Sequence, residues 1–463
     1  MHPIRSYVES NKKRFLDELK AFLHIESIST LPEQKQTCAE CAEYVRSELA
    51  RIGFAAKIFP TVGHPIVYAE DLNAGTSAPT TLFYGHYDVQ PVDPIALWTT
   101  PPFEPSIRNE RLYARGAADD KGQVHLHLKG IESLRATRDS MPCNIKILIE
   151  GEEEIGSTNL EKFLREHAAM LACDTVLISD TAMLAPGIPT ITYGLRGLAY
   201  FEITLTSANS DLHSGMFGGA VENPLNALCS IIARLKDEYG RVAVPHFYDD
   251  ILPLTPEERK QFASLPFSDE KFCASIGIPS TRGEFGYSTL ERLWARPTLD
   301  VNGIWGGFTG AGAKTVLPAI AHAKISMRLV PNQSSKKIEQ LFKEHITNIT
   351  PPTTHVEIQP FHGGEPALTP MDSPGNKAAQ AALRFAYGKE PVFIRDGGSI
   401  PIVPLFQNIL NAPVVLMGFG LPDENAHAPD ENILLENYFL GIESSAYFYE
   451  EFVKSLSKTH EAM

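Results

Sequence analysis

Residues 145–156 read IKILIEGEEEIG, a short apolar run that leads directly into a cluster of carboxylates. The run from Ile145 to Ile149 is rich in β-branched residues and is typical of a buried strand. The acidic residues begin where the run ends, at Glu150. This stretch therefore predicts a strand with several carboxylates at its carboxyl end.

Three other apolar runs repeat this arrangement, at Thr81 to Tyr84, Thr175 to Ile178 and Pro413 to Met417. Histidines or acids follow each of them: GHYD at 85–88, SD at 179–180 and, after GFG at 418–420, NAH at 425–427. In an open α/β sheet, ligands bind at the edge formed by the carboxyl ends of the strands. The sequence therefore predicts one site at the ends of all four strands.

Helical patterns alternate with these strands in the first part of the chain. Phe15 to Ile25 and Cys38 to Ile52 carry apolar residues at helical spacing, and the second segment stops at Gly53, a residue favoured just after a helix. Strands that alternate with helices predict an α/β fold, with a mostly parallel sheet and helices on both faces.

The middle third of the chain has a different pattern. Leu198 to Thr206 alternates as a half-buried strand, and Lys324 to Val330 and His355 to Phe361 also resemble strands. Pro224 opens a segment with a helical apolar stripe. Strands with a segregated helix indicate an α+β unit.

The pattern of the first part resumes after Glu365, with a predicted helix at Asn376 to Tyr387 before the fourth core strand. The simplest organisation is one catalytic α/β domain interrupted by an inserted α+β domain of ordinary size. We therefore predict a catalytic domain in two parts, 1–193 and 367–463, around an inserted domain at 194–366.

The composition excludes several classes of protein. The chain has 463 residues, of which 43% are hydrophobic and 21% charged, which is typical of a globular protein. A formal net charge of −15 disfavours binding to nucleic acids or to anionic membrane surfaces. Six cysteines are too few for a disulfide framework, and the N-terminal segment lacks an apolar signal region. These features predict a cytoplasmic protein with no membrane-spanning segment.

The residues at the predicted sheet edge are of the types that bind metal ions. Two histidines with three or more carboxylates suit zinc or a similar divalent cation. A further pair, His125 and His127, lies in a predicted helix, where side chains two positions apart face away from each other. We therefore do not expect His125 and His127 to bind one ion together.

Several segments together resemble the M20 family of co-catalytic metallopeptidases, and within it the cytosolic nonspecific dipeptidase and carnosine dipeptidase branch. They are GHYD at 85–88, GAADDKG at 116–122, GEEEIG at 151–156, DLHSG at 211–215, GAGAKTV at 310–316, MRLVP at 327–331, GGSIP at 397–401 and AH at 426–427. The resemblance covers nearly the whole chain in order.

This resemblance implies a centre with two Zn²⁺ per subunit, for which Mn²⁺ or Co²⁺ can substitute. The implied ligands are His86 and Asp180 for one ion, Glu154 and His427 for the other, and Asp119 as the bridge between both. Two ions at such a spacing acidify a shared water and polarise the scissile carbonyl.

Other roles in the catalytic domain also follow from the resemblance. Glu153 is expected to be the general base that takes the proton of the water. The run Glu152 to Glu154 by itself leaves base and ligand open by one residue, and the family's ligand position, two residues before the glycine, selects Glu154. Asp88 is expected to hydrogen-bond the far ring nitrogen of His86 and to fix its tautomer. A cis peptide bond is expected after Asp119.

The inserted domain is implied to act as a lid and to form a homodimer. His213 is expected to reach the site of the partner subunit and to donate to the oxyanion of the transition state. Arg328 is expected to bind the substrate carboxylate through its planar fork of donors. Thr315 and Ser399 match positions that line the substrate site.

Taken together, these expectations describe a di-zinc metallohydrolase that cleaves the amide bond of dipeptides or short peptides with a free carboxylate. The expected partners are a small peptide and a second copy of the chain, with no nucleic acid and no membrane. An N-acyl or N-carbamoyl amino acid amidohydrolase with the same site is the alternative function. A non-catalytic scaffold protein is a remote alternative, because every residue that the chemistry requires is present.

Overall fold

The structure is a computed structural model that describes residues 2–361 and 363–461. The chain divides into two compact units. The first unit consists of Met1–Tyr193, Thr369–Ile394 and Leu405–Met463, and the second of Gly194–Leu368 and Arg395–Pro404. The domain limits inferred from the sequence stay a prediction, because compactness alone does not define a functional domain.

Helices are present in both units of the described chain. They are α1 (Pro3–Leu23), α2 (Lys35–Arg51), α3 (Lys121–Ala136), α4 (Leu160–Glu166), α5 (Ala168–Leu171), α6 (Ser214–Phe217), α7 (Pro224–Ala233), α8 (Pro256–Ser264), α9 (Asp269–Ile276), α10 (Thr289–Trp294), α11 (Ser335–Ile349), α12 (Pro374–Tyr387), α13 (Ile402–Leu410) and α14 (Leu435–Glu461). Among the described residues, these helices are all too short or too polar to cross a membrane.

Strands are also present in both units. They are β1 (Ala55–Phe59), β2 (Ile66–Asp71), β3 (Thr80–His86), β4 (Ser106–Arg108), β5 (Arg111–Tyr113), β6 (Asn144–Glu150), β7 (Thr175–Ile178), β8 (Thr190–Leu195), β9 (Gly197–Thr206), β10 (Leu212–His213), β11 (Thr298–Gly306), β12 (Val316–Leu317), β13 (Ile320–Leu329), β14 (His355–Pro360), β15 (Ala367–Leu368), β16 (Val392–Asp396), β17 (Val414–Leu416) and β18 (Asn432–Leu434).

The main sheet of the first unit has the strand order β1-β2-β6-β3-β7-β17-β8. Its four central strands, β6, β3, β7 and β17, run parallel to one another and correspond to the four apolar runs of the sequence. Strand β17 comes from the last part of the chain and lies between β7 and β8. The predicted α/β fold with a mostly parallel sheet is confirmed, with antiparallel strands at its margins.

The helices of the first unit bury the faces that their sequences predict. Helix α1 buries Ile4, Val8, Phe15, Leu19, Phe22 and Leu23, which recur at helical spacing. Helix α12 begins where the Ser373 hydroxyl accepts a hydrogen bond from the Asn376 backbone N–H, and it ends at Gly388 in the left-handed region. Helices α3 and α12 both pack against the long C-terminal helix α14.

The second unit is built on a four-stranded antiparallel sheet with the order β11-β13-β9-β14. Side chains along β9 alternate between buried and half-buried, as the period of the sequence predicts. The buried face packs against α7 and α11, where Phe201 contacts Phe342. Helix α7 starts at Pro224, and the Asn223 side chain caps it by accepting from the Leu225 N–H at 2.9 Å.

Candidate metal centre

The central strands of the first unit deliver titratable side chains to one edge of the sheet. His86 is the last residue of β3, and Asp180 follows the last residue of β7 by two positions. Glu153 and Glu154 lie in a short 3-10 turn just past the end of β6. Because these strands are parallel neighbours, their carboxyl ends bring the side chains together.

Two groups of potential metal ligands lie at this edge, and they share one residue. His86, Asp119 and Asp180 form the first group, and Asp119, Glu154 and His427 form the second. Within each group, the ligand atoms lie within 4.8 Å of one another. The predicted ligands are therefore all brought together by the first unit.

Asp119 presents its two carboxylate oxygens to two different histidines. Its Oδ1 lies 3.1 Å from Nε2 of His86, and its Oδ2 lies 2.8 Å from Nε2 of His427. The same nitrogen of His427 lies 3.2 Å from Oε2 of Glu154. A carboxylate that faces two ligand sets in this way suits a bridge between two cations. The Asp119–Asp120 peptide bond is cis, as the resemblance implies.

Asp88 organises the site through more contacts than the sequence predicts. The Nδ1 atom of His86 lies 3.0 Å from the backbone oxygen of Asp88 and 3.4 Å from its carboxylate. The carboxylate itself accepts hydrogen bonds from the backbone N–H groups of Glu153 and Glu154, at 3.2 and 3.1 Å. Asp88 therefore holds the histidine ligand and the glutamate turn in one fixed arrangement.

The three consecutive glutamates have different surroundings. Glu152 accepts hydrogen bonds from the His64 N–H at 3.1 Å and from the side-chain amide of Asn159 at 2.7 Å, so it stabilises the loop. Glu154 accepts from the Gln90 amide at 2.7 Å and faces His427. The carboxylate of Glu153 accepts no hydrogen bond from any described residue, which leaves it available for a proton.

Glu431 is a further residue of the site, and the sequence gives no sign of it. Its buried carboxylate accepts from the Arg115 guanidinium at 2.6 Å and from the Gly116 N–H at 2.9 Å. It also accepts from the backbone N–H groups of Ala118 at 2.9 Å and Asp119 at 3.0 Å. Glu431 thus fixes the backbone of the bridging residue, although no motif surrounds it in the sequence.

Glu431→Gln is expected to lower the free energy of unfolding by about 3–5 kcal/mol, because it leaves buried Arg115 and several N–H donors without their anion. The metal content of the purified protein should fall as well, since Asp119 is no longer held. Chemical denaturation and elemental analysis measure these effects. The exposed Glu161→Gln, in the same unit, is the control and should change neither. A Glu431→Gln protein with wild-type stability and metal content would contradict this role.

The electrostatics of the centre favour the binding of cations. Burial, reinforced by the charge of Asp119, raises the pKa of Asp180 to about 7. Burial likewise raises the pKa of Glu153 well above its ordinary value, and His86 only partly opposes this. Hydrogen bonds to Asp119 and Glu154 raise the pKa of His427 to about 10. Divalent cations would replace these protons and relieve the repulsion among the carboxylates.

His125 and His127 take part in the core of the first unit. Nδ1 of His125 lies 2.7 Å from the Tyr438 hydroxyl. The ring of His127 lies between the hydroxyls of Ser179 and Ser445, at 2.5 and 2.8 Å. Burial lowers the pKa of His127 to about 3, which keeps the ring neutral. Both rings therefore have structural partners.

The remaining predicted site residues belong to the second unit. His213 is the last residue of β10 and pairs with Val316 of β12. The next residue, Ser214, donates its backbone N–H to the backbone oxygen of Thr315 at 3.0 Å. His213 and Thr315 are therefore neighbours. Arg328 donates from Nη1 to the Ser399 hydroxyl at 2.8 Å. The second unit thus brings these four residues together as two pairs.

Comparisons with known proteins extend over both units. The family model described as peptidase family M20/M25/M40 matches residues 82–451. The Cys-Gly metallodipeptidase dug1 of Schizosaccharomyces pombe is 33% identical over 460 residues, which cover 96% of each chain. The Beta-Ala-His dipeptidase of Homo sapiens is 31% identical and covers 97% of this chain and 92% of its own. A solved M20 family metallo-carboxypeptidase from Sulfolobus solfataricus is 37% identical, with a TM-score of 0.84 over 95% of this chain and 99% of its own.

Proposed function

Since the chain belongs to peptidase family M20/M25/M40, we propose that it hydrolyses dipeptides or short peptides with a free carboxylate, using two zinc ions in each subunit. The protein is an M20-type metallopeptidase. The observation that carries the proposal is the pair of ligand groups that share Asp119. A carboxylate that bridges two sets of ligands, each with a histidine and a further carboxylate, is typical of a dinuclear metal hydrolase.

The side chains present fit divalent cations. One oxygen of Glu154, Oε1, is buried and has no hydrogen-bond partner among the described residues, so it can accept a cation without losing a bond. We assign His86 and Asp180 to one zinc ion, Glu154 and His427 to the other, and Asp119 to both, with Mn²⁺ or Co²⁺ as substitutes. When bound, such a pair of ions polarises the scissile carbonyl and acidifies a water.

We assign the general base to Glu153. Its carboxylate accepts no hydrogen bond from the part of the chain that the structure describes. Its backbone is fixed by Asp88 at 3.2 Å, so the side chain is positioned without being occupied. Burial raises its pKa well above the ordinary value, which favours the uptake of a proton. Glu153 then passes this proton to the leaving nitrogen of the peptide.

Recognition of the substrate carboxylate is assigned to the second unit. Arg328 supplies a planar fork of donors that matches a carboxylate, and Ser399 orients it through the 2.8 Å hydrogen bond. Thr315 is assigned to the wall of the substrate site beside His213. A requirement for a free carboxylate favours dipeptides and short peptides over internal bonds of long chains.

We further propose that the enzyme is a cytoplasmic homodimer. Strand β11 is an outer strand of its sheet and pairs only with β13 among the described residues. Its side chains Val301, Ile304 and Trp305 are 40–46% exposed, which is unfavourable for a strand edge that stays in water. A second copy of the chain paired with this edge would cover them and would bring His213 into reach of the other subunit.

Apo protein reloaded with Zn²⁺, Mn²⁺ or Co²⁺ is expected to hydrolyse free dipeptides faster than their C-terminal amides or the matching N-acyl and N-carbamoyl amino acids. The reason is that the proposed site binds a carboxylate next to the scissile amide. Initial rates from amine release measure the difference, and Glu153→Gln protein prepared in parallel corrects for contaminating peptidases. Faster cleavage of the N-acyl or N-carbamoyl compounds would establish the deacylase instead.

A further inference from the structure

Arg196 occupies a special position in the second unit, directly before β9. The residue is only 9% exposed. The Nε–H donates to the Gly397 backbone oxygen at 3.0 Å, and the Arg196 backbone N–H donates to the Gly398 oxygen, also at 3.0 Å. The Nη1 atom is buried and has no hydrogen-bond partner in residues 2–361 and 363–461. A buried guanidinium nitrogen without an acceptor is costly, so this group is expected to have a ligand.

The register of the sheet places Arg196 next to Arg328. Arg328 of β13 lies opposite Leu198 of β9, and Arg196 precedes Leu198 by two residues. Arg196 lies just outside β9, and the charge of Arg328 acts on its guanidinium, so the two arginines lie close together. Both also contact one short segment, Gly397–Ser399, because Arg328 donates to the Ser399 hydroxyl. The two guanidinium groups therefore converge on the same place.

Neither arginine forms an ion pair with a carboxylate among the described residues, although the charge of Asp396 acts on both. Burial and the positive charge of Arg328 lower the pKa of Arg196 to about 10, and burial lowers that of Arg328, so both stay protonated at neutral pH. Another buried arginine of this unit is fully paired, since Arg296 makes two 2.7 Å hydrogen bonds to Glu284. Two neighbouring guanidinium groups, one buried and one half-buried, that form no ion pair with a described carboxylate are unfavourable unless a ligand supplies the negative charge.

We propose that Arg196 is a second substrate-binding arginine, whose Nη1 binds the same terminal carboxylate of the substrate as Arg328. The inference rests on the proposed function, because that function supplies the anion. A carboxylate has two oxygens with about four acceptor sites, enough for both guanidinium groups. Every substrate carries its terminal carboxylate in the same place, whereas the side chains of substrates vary. Two arginines that converge on one segment therefore suit the terminal carboxylate better than a side chain.

The test uses two inert ligands, a dipeptide analogue with a reduced peptide bond and a free carboxylate, and its C-terminal carboxamide. Calorimetry on the zinc-loaded protein gives the Kd of each. Arg196→Met is expected to weaken the carboxylate ligand by about 10- to 100-fold, the usual effect of losing a charge-assisted hydrogen bond. The Kd of the carboxamide should change by less than about twofold, because its terminal group has no charge for Arg196 to bind. Arg196→Lys keeps the charge and should show a smaller loss that is again confined to the carboxylate.

Arg292→Met is the matched control. Arg292 also donates from Nε to a backbone oxygen, that of Glu284 at 3.0 Å, so its loss tests the effect of removing such a bond elsewhere in the unit. Neither Kd should change in this variant. If Arg196→Met does not fold, the selectivity of Arg196→Lys alone decides.

Equal weakening of both ligands in the Arg196 variants would overturn the proposal, since a residue that only anchors Gly397 affects them alike. A loss confined to analogues with an acidic side chain would overturn it as well. If the wild-type protein binds neither ligand, the proposed function is wrong and the assignment of Arg196 falls with it.

Discussion

Replacement of Glu153 by glutamine is expected to lower kcat by at least about 100-fold and to leave the metal content unchanged. Glutamine has nearly the shape of glutamate but is a very weak base, so it cannot take the proton of the attacking water. The ligands of both metal groups are untouched by the substitution. Steady-state kinetics on a dipeptide and elemental analysis of the same sample measure the two quantities.

Glu152→Gln is the matched control for this experiment. Glu152 is the neighbouring residue and also a glutamate, but its carboxylate is committed to His64 and Asn159. We expect its substitution to lower stability, because a buried acceptor is replaced in part by a donor, while the folded fraction keeps kcat within a few-fold of wild type. A Glu153→Gln enzyme that retains more than about a tenth of wild-type kcat would exclude Glu153 as the base.

The second large effect is expected for His213, which we propose acts in the partner subunit's site. His213→Ala alone should lower kcat by about 10²- to 10³-fold, the usual loss for an oxyanion donor. The structure supports this role, because Nδ1 of His213 accepts a hydrogen bond from the Gly215 N–H at 3.0 Å. The ring proton of the neutral histidine must then be on Nε2, in the exposed side chain, where it can be donated.

Subunit mixing tests whether His213 acts in trans. His213→Ala and Glu153→Gln proteins, each nearly inactive, are mixed and allowed to exchange subunits. In a heterodimer, one of the two sites then combines a wild-type Glu153 with a wild-type His213 from the other chain. With random exchange, about a quarter of wild-type activity should return.

The control for the mixing experiment is exchange itself, followed with two affinity tags and sequential purification of the heterodimer. Purified heterodimer should have about half of wild-type activity, because one site of the two is complete. If His213 acted within its own subunit, every site would lack one group. An inactive purified heterodimer would therefore exclude the action in trans.

The fold of the first unit could be predicted where a buried element leaves an apolar pattern in the local sequence. Strand β6 is buried along its whole length, and the sequence displays this as an apolar run from Ile145 to Ile149 that only Lys146 interrupts. Strand β2 was not predicted; its apolar part spans only Ile66 to Ala69, and the strand ends with the charged residues Glu70 and Asp71. Their partners explain why the strand accepts them, since Tyr68 donates to Glu70 at 2.6 Å and Arg135 pairs with Asp71 at 2.5 Å. These contacts depend on tertiary structure and have no local signature.

The residues of the candidate centre also divide into those with a local signal in the sequence and those whose role depends on tertiary contacts. His86 and Asp180 each come two residues after an apolar run, so position along the chain was enough to suggest them as ligands. Glu431 binds backbone N–H groups, and Arg196 contacts a segment about 200 residues away, so neither belongs to a recognisable motif. The run Glu152 to Glu154 is an intermediate case, because only the surrounding hydrogen bonds show that Glu152 stabilises the loop.

The place of β17 in the sheet has a consequence for the synthesis of the protein in the cell. Strand β17 lies between β7 and β8, yet the ribosome translates nearly all of the second unit after those strands and before β17. The edge of β7 is therefore open throughout this interval, and an open strand edge can pair wrongly with other chains. We expect the nascent chain to require chaperone protection during this interval. Because His427 is translated even later than β17, the second group of metal ligands can form only after that residue has left the ribosome.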